Sequence, residues 1–174
     1  MIRKRKLYVR PKKAFEKVRI GEENALMEKY GLKNKIEIWK TKAKVNYFRK
    51  RAMVLAKASA EEQEVLFSKL RNIGLDIKAT ADVLDLDLTN LLERRLPTVI
   101  FKKGISKTVK EARQMVVHKR ILISGNVNNT PSYIVRVNEE NLIKLNQAKQ
   151  KPVKIVKENP VEEKPVTSVE EPAK

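Results

Sequence analysis

The chain has 174 residues, with 39 Lys and Arg against 21 Asp and Glu, a formal net charge of +18 and no cysteine. The length suits one large domain or two small ones; the charge calls for a polyanionic partner, and the lack of cysteine excludes disulfides and thiolate metal sites. No apolar run approaches the roughly 18 residues that cross a bilayer, so no membrane partner is expected. The basic start MIRKRKLYVRPKK is not followed by the apolar stretch of a signal peptide, which leaves the cytoplasm as the expected compartment.

In chain order, residues 1–14 read as a basic arm that orders only on a partner. A helix follows from Glu16 to Tyr30, with Gly21 inside it and Gly31 suited to the left-handed position past its end. Lys35 to Ala58 holds no Gly or Pro and is the longest predicted helix. Ser59 opens a third, with Glu62 placed for a capping box, Leu66, Leu70 and Ile73 as its apolar stripe and Gly74 as its end. The acidic segment LDIKATADVLDLDLT reads as a turn into a helix capped by Asp87 or Thr89. That helix buries Leu91, Leu92, Leu96, Val99 and Ile100, and it accommodates Pro97 where a new helical turn begins. After Gly104, TVKE (Thr108 to Glu111) forms a second capping box for a helix running to about His118. Ile121 to Ser124 and Ser132 to Val137 are the predicted strands, with turn residues NVNNTP between them. The proline-rich end of the chain, residues 148–174, is expected to be disordered because it cannot bury enough apolar surface. The expected fold is therefore α+β: a basic arm (1–14), a helical region (15–85), a domain of two helices and a small antiparallel β element (86–140), and the tail.

Charge is unevenly distributed. Residues 1–57 hold 19 Lys/Arg against 5 Asp/Glu, residues 58–92 hold 3 against 7, and residues 93–124 hold 9 against 2. Two basic blocks around an acidic spacer predict two polyanion-facing surfaces on one body. In the second block, Lys107, Lys110 and Arg113 recur at three-residue spacing on one helical arc with Gln114 and His118, so one groove edge could meet several phosphates. Arg94, Arg95, Lys102 and Lys103 are further phosphate candidates, with an internal carboxylate as the competing partner for one of the two arginines. In the first block the candidates are Lys40, Lys44, Arg49, Lys50 and Arg51. Trp39, Tyr47 and Phe48 lie among these cations. Ile36, Trp39, Ala43, Tyr47 and Val54 fall near one helical stripe, so core packing is expected of the rings and phosphate contact of the cations. Asp82, Asp85 and Asp87 read as a solvated edge rather than a Mg²⁺ site. No phosphate-loop, dinucleotide or zinc-protease motif occurs, and His118 is the sole histidine, so no catalytic activity and no cofactor are expected.

The order of helix, glycine turn, capped basic helix and hairpin, with LLERRL, FKKG, KTVKEARQMVVH and PSYIV, resembles the alpha-L RNA-binding motif. Together with EKYGLKNKIEIWK (Glu28 to Lys40) and SKLRNIGL (Ser68 to Leu75), it resembles the small-subunit ribosomal protein four family in its archaeal form, called nine in eukaryotes, over about residues 8–140. The resemblance implies a structural, monomeric component of the small ribosomal subunit. Such a protein binds small-subunit rRNA at a multi-helix junction and nucleates assembly beside neighbouring small-subunit proteins, near the mRNA entry path. It also brings His118 into the RNA-facing set. The family usually has His-Gly-His-Ile where this chain has HKRI (His118 to Ile121), which places Lys119 and Arg120 among the candidates. It usually has Val-Asn-Gly where this chain has ISG (Ile123 to Gly125), and Gln or Asp at Pro97. The other readings that the motif leaves open are a stand-alone alpha-L factor acting on ribosomes and, from a different class, a DNA-compacting basic protein.

Overall fold

Four chain reversals organise the helices. α1 (Lys17–Tyr30) ends at Gly31, α3 (Ala60–Asn72) at Gly74, and α6 (Leu96–Lys102) at Gly104, each glycine with positive φ. α7 (Val109–Val117) ends in the same way at Lys119, whose φ is 59°. Each reversal closes with the two hydrogen bonds of a Schellman motif: Leu32 N–H to Met27 O after α1, for example, and Arg120 N–H to Met115 O after α7. The computed structural model describes residues 6–146; the first five residues of the arm and the tail 148–174 lie outside the described residues.

α2 (Lys35–Leu55) is the longest helix, and its buried residues are Ile38, Val45 and Ala52. The seven-residue step keeps one side of α2 against α3, α4 (Thr80–Leu84) and α5 (Leu88–Glu93). This corrects the expected stripe: Tyr47 is 55% and Val54 74% exposed. Only Trp39 of that stripe packs at a core, with its indole N–H donating to Glu23 at 2.9 Å. The acidic segment 75–89 is not a plain turn either. Leu75, Ile77, Val83 and Leu86 are buried in the same cluster as Leu66, Phe67 and Leu70, while Asp76, Asp85 and Asp87 face out. A high charge count there masks an apolar pattern that alternates first and then takes up helical spacing.

α5 joins the three cores. Leu91 enters the α2–α3–α4 cluster, Leu92 packs with Tyr30, Leu32 and Ile38, and Leu96 at the start of α6 belongs to a third cluster with Ile100, Val116, Ile121 and Val135. Pro97 sits in the first turn of α6, where its missing N–H leaves no ladder bond broken. Thr108 accepts from the Glu111 N–H at 3.1 Å, and Glu111 reaches back to the Lys107 N–H at 2.8 Å. Ser59 makes no side-chain cap, so the expected box there does not form.

The sheet has three antiparallel strands in the order β2–β1–β3: β1 (Ile121–Ile123), β2 (Asn126–Val127) and β3 (Ile143–Leu145). Ser124 (φ 51°) and Gly125 (φ 84°) reverse the chain immediately after β1 and pair Ile123 with Asn126. The hairpin therefore closes before NVNNTP can act as its turn. The strand expected at 132–137 is an irregular segment with one bridge, Ile134 to Arg95, followed by α8 (Val137–Glu140). The fold is α+β, and its sheet extends past residue 140. Among the described residues, no helix is long and apolar enough to cross a membrane.

The arm has no helix or strand over residues 6–14, yet it has partners within the chain. Arg19 donates to the carbonyls of Lys13 and Ala14 at 2.8 and 3.0 Å, and the Tyr8 ring lies 6.2 Å from that of Trp39.

Candidate nucleic-acid interface

The basic block of the β-containing half is tied to the helical half through one carboxylate. Glu37, in the first turn of α2, accepts from Arg113 on α7 through both oxygens, at 2.6 and 3.1 Å, and from Arg95 at 2.6 Å. Arg113 also reaches the Gly31 carbonyl at 3.4 Å, and a Cβ at Gly31 would stand 3.2 Å from Val109. Gly31 thus permits the end of α1 to sit on the first turn of α7. Burial pushes the Glu37 carboxyl up, but the bonds from Arg113 and Arg95 outweigh it and hold the group below its ordinary value of 4.5.

Seven candidate cations are consequently engaged inside the protein. Besides Arg95 and Arg113, Arg94 donates to Glu140 at 3.1 Å and to the Val135 carbonyl at 3.4 Å, against the Gly74 turn. Lys102 pairs with Glu93 at 2.9 Å, and Lys103 donates to the Glu140 carbonyl. Arg49 donates to the Leu86 carbonyl at 2.8 Å, and Arg51 to the Tyr47 hydroxyl at 3.2 Å. Arg113, expected from the sequence on a phosphate-binding arc, is bonded to Glu37 at the joint. Its position on the arc, three residues after Lys110, is also the position that faces α2.

The other nine candidates are exposed, and their side chains have no hydrogen-bond or ion-pair partner among the described residues: Lys40, Lys44 and Lys50 on α2, and Lys107, Lys110, Gln114, His118, Lys119 and Arg120 on and around α7. Lys40 and Lys44 follow Glu37 by three and seven residues on α2, and Lys110 precedes Arg113 by three on α7, so free ammonium groups flank the joint on both sides. Desolvation by neighbouring groups pulls the Lys44 ammonium below its ordinary value, although the residue as a whole stays exposed. Asp82 of the acidic spacer caps α4, accepting from the N–H groups of Lys78 and Ala79 at 2.8 and 2.9 Å.

Residues 94–141 match the S4 domain family. Over 146 residues the chain is 43% identical to small ribosomal subunit protein uS4 of Saccharolobus solfataricus, covering 80% of this chain and 81% of that protein. It is 45% identical over 145 residues to uS4 of Ignicoccus hospitalis, covering 80% and 87%, and 42% identical to uS4 of Methanothermobacter thermautotrophicus, covering 80% and 85%. The chain belongs to the uS4 family of small ribosomal subunit proteins. In this family member the matched S4 domain opens at Arg94, which pairs with Glu140 at the domain's other end, and Arg95, which ties the domain to Glu37 on α2, and it stops just before β3.

Two features of this uS4-family chain escape a reading of the sequence. One is Glu37, although a signal exists: it is the sole acidic residue between Glu28 and Glu61 in a strongly basic stretch, which marks a carboxylate with a specific task. The other is a groove of about 740 Å³ between α2 and the 131–134 segment, with Tyr47 on its rim. No local pattern announces it, because its two walls lie more than eighty residues apart in the chain.

Proposed function

We propose that this chain is a structural component of the small ribosomal subunit that binds small-subunit rRNA. The observation that supports this reading best is the division of labour among its cations. Arginines fix the two halves together, while exposed lysines on both halves have no acidic partners among the described residues. A rigid body with two sets of free ammonium groups suits a place where RNA helices converge, since it can neutralise phosphates on each and release their counterions. The RNA is read by shape and backbone. On this reading the protein works without catalysis in the cytoplasm, as a monomer within the ribosome. It binds early at a multi-helix junction, holds that junction for assembly beside neighbouring small-subunit proteins, and lies near the mRNA entry path.

The test is crosslinking and sequencing of RNA bound in native extract, resolved on a sucrose gradient. Crosslinks clustered at one small-subunit rRNA junction, in the small-subunit fraction, are expected. Crosslinks dispersed over tRNA or large-subunit RNA would favour a stand-alone ribosome-associated factor. Co-sedimentation with DNA would favour a compaction protein.

A further inference from the structure

The groove beside the Glu37 joint is shaped for something other than a helical phosphate edge. Its walls are α2 on one side and residues 131–134 on the other, with Leu7 of the arm and Leu91 also in its lining. At about 740 Å³ it falls in the range of roughly 300–1,000 Å³ typical of small-molecule sites. Glu37 would repel an anion, but its charge is already matched by Arg95 and Arg113, which leaves the floor with a net positive charge. Lys40 and Lys44 add two ammonium groups that are unpaired among the described residues.

The rim offers a flat apolar surface. Tyr47 is 55% exposed, its hydroxyl accepts from Arg51 at 3.2 Å, and its ring lies 5.8 Å from that of Phe48. Pro131 and Ile134 face the groove from the other wall, and the Ser132 hydroxyl is unbonded among the described residues. Positive charge, an exposed aromatic face, an opposing apolar wall and a spare hydroxyl together match an aromatic heterocycle bearing a phosphate. A-form helices keep their bases stacked and paired, so only an unstacked residue could enter.

We propose that this groove takes a single extruded nucleotide of the bound RNA, its base stacked on Tyr47 and its phosphates held by Lys40 and Lys44. The inference rests on the rRNA-binding reading and deepens it.

The experiment uses the full chain with small-subunit rRNA from the same organism, by filter binding over a salt series and chemical probing of every nucleotide. Base stacking on an aromatic ring is worth about 1–3 kcal/mol, so Tyr47→Ala is expected to weaken binding roughly 5- to 150-fold with the salt slope unchanged. Tyr47→Phe retains the ring and is expected to bind within about threefold of wild type. Lys44→Ala lowers the slope by up to about one phosphate equivalent. One nucleotide outside the paired regions is protected by wild type and becomes reactive with Tyr47→Ala. Ser132→Trp, an exposed position, fills the groove from the opposite wall and should reproduce the loss without touching α2. Wild-type affinity for both Tyr47→Ala and Ser132→Trp, or no nucleotide whose reactivity depends on Tyr47, overturns the inference while rRNA binding stands. A wild-type chain with no preference for small-subunit rRNA would instead remove the functional reading itself.

Discussion

Replacing Glu37 by alanine leaves two guanidinium groups facing each other at the joint. The Arg95 side chain is only 6% exposed and that of Arg113 20%, so water screens Arg95 poorly. Removing one partner from a buried ion pair costs about 3–5 kcal/mol. The joint is one-fifth open on the Glu37 side, which places Glu37→Ala near the lower end, at about 3 kcal/mol. Against a total stability of about 5–15 kcal/mol that is a large fraction. At about 2–4 °C per kcal/mol for a chain of this size, it lowers Tm by roughly 6–12 °C. Glu37→Gln keeps the shape, loses the charge and turns an NH₂ toward the arginines, so a smaller loss of about 2 kcal/mol is expected. The sign of the pH dependence follows from the lowered carboxyl pKa. The stabilisation is fully present above the unfolded value near 4.5 and disappears as pH falls through the lower folded value. The Tm gap between wild type and Glu37→Gln is therefore flat from roughly pH 5 to 8 and closes below about pH 4.5. Thermal unfolding across pH, followed by circular dichroism, reads all of this. A Glu37→Ala protein melting within about 2 °C of wild type at neutral pH, or a gap that widens in acid, would refute the reasoning.

Three other outcomes can be checked. Changing Lys107, Lys110 and Lys119 together to Ala flattens the salt dependence of rRNA binding by about 2–3 units, at about 0.7–0.9 per phosphate, with little change in Tm beyond that expected from Lys119 itself. An unchanged slope would take α7 out of the interface. Gly21 lies within α1, and a Cβ added there would meet nothing within 4 Å, so Gly21→Ala should raise stability by about 0.5–1 kcal/mol in denaturant titration. Lys119→Gly and Ser124→Asn act on the two non-glycine residues with positive φ among the described residues, at 59° and 51°. The first relieves a left-handed strain of about 1 kcal/mol, the second about half that because Asn tolerates the conformation, and a lower Tm in either variant would contradict the strain assignment.

Those two strained positions show what a sequence can and cannot reveal. Where a residue type has one physical use, the reading is direct. Gly31, Gly74 and Gly104 mark helix ends because only a residue without Cβ takes that turn freely, and Pro97 marks a helix start because it lacks an N–H. Where the use depends on a distant partner, local pattern cannot decide. Arg113 and Lys110 look alike on the α7 arc, yet one closes on Glu37, seventy-six residues earlier, and the other faces solvent. Tyr47 and Trp39 both fit an apolar stripe, and only the seven-residue register of Ile38, Val45 and Ala52 shows which of them α2 turns outward. The hairpin departs from expectation for a related reason: NVNNTP has stronger turn chemistry than Ser-Gly, but the chain has already reversed after β1. At both Lys119 and Ser124 the chain tolerates a backbone that favours Gly or Asn. At Lys119 it gains an exposed cation beside the free lysines of α7, a gain that shows in the RNA-binding slope and a strain that shows in Tm. The Lys119→Gly protein should therefore be more stable than wild type and the weaker binder, by up to about one phosphate equivalent in slope.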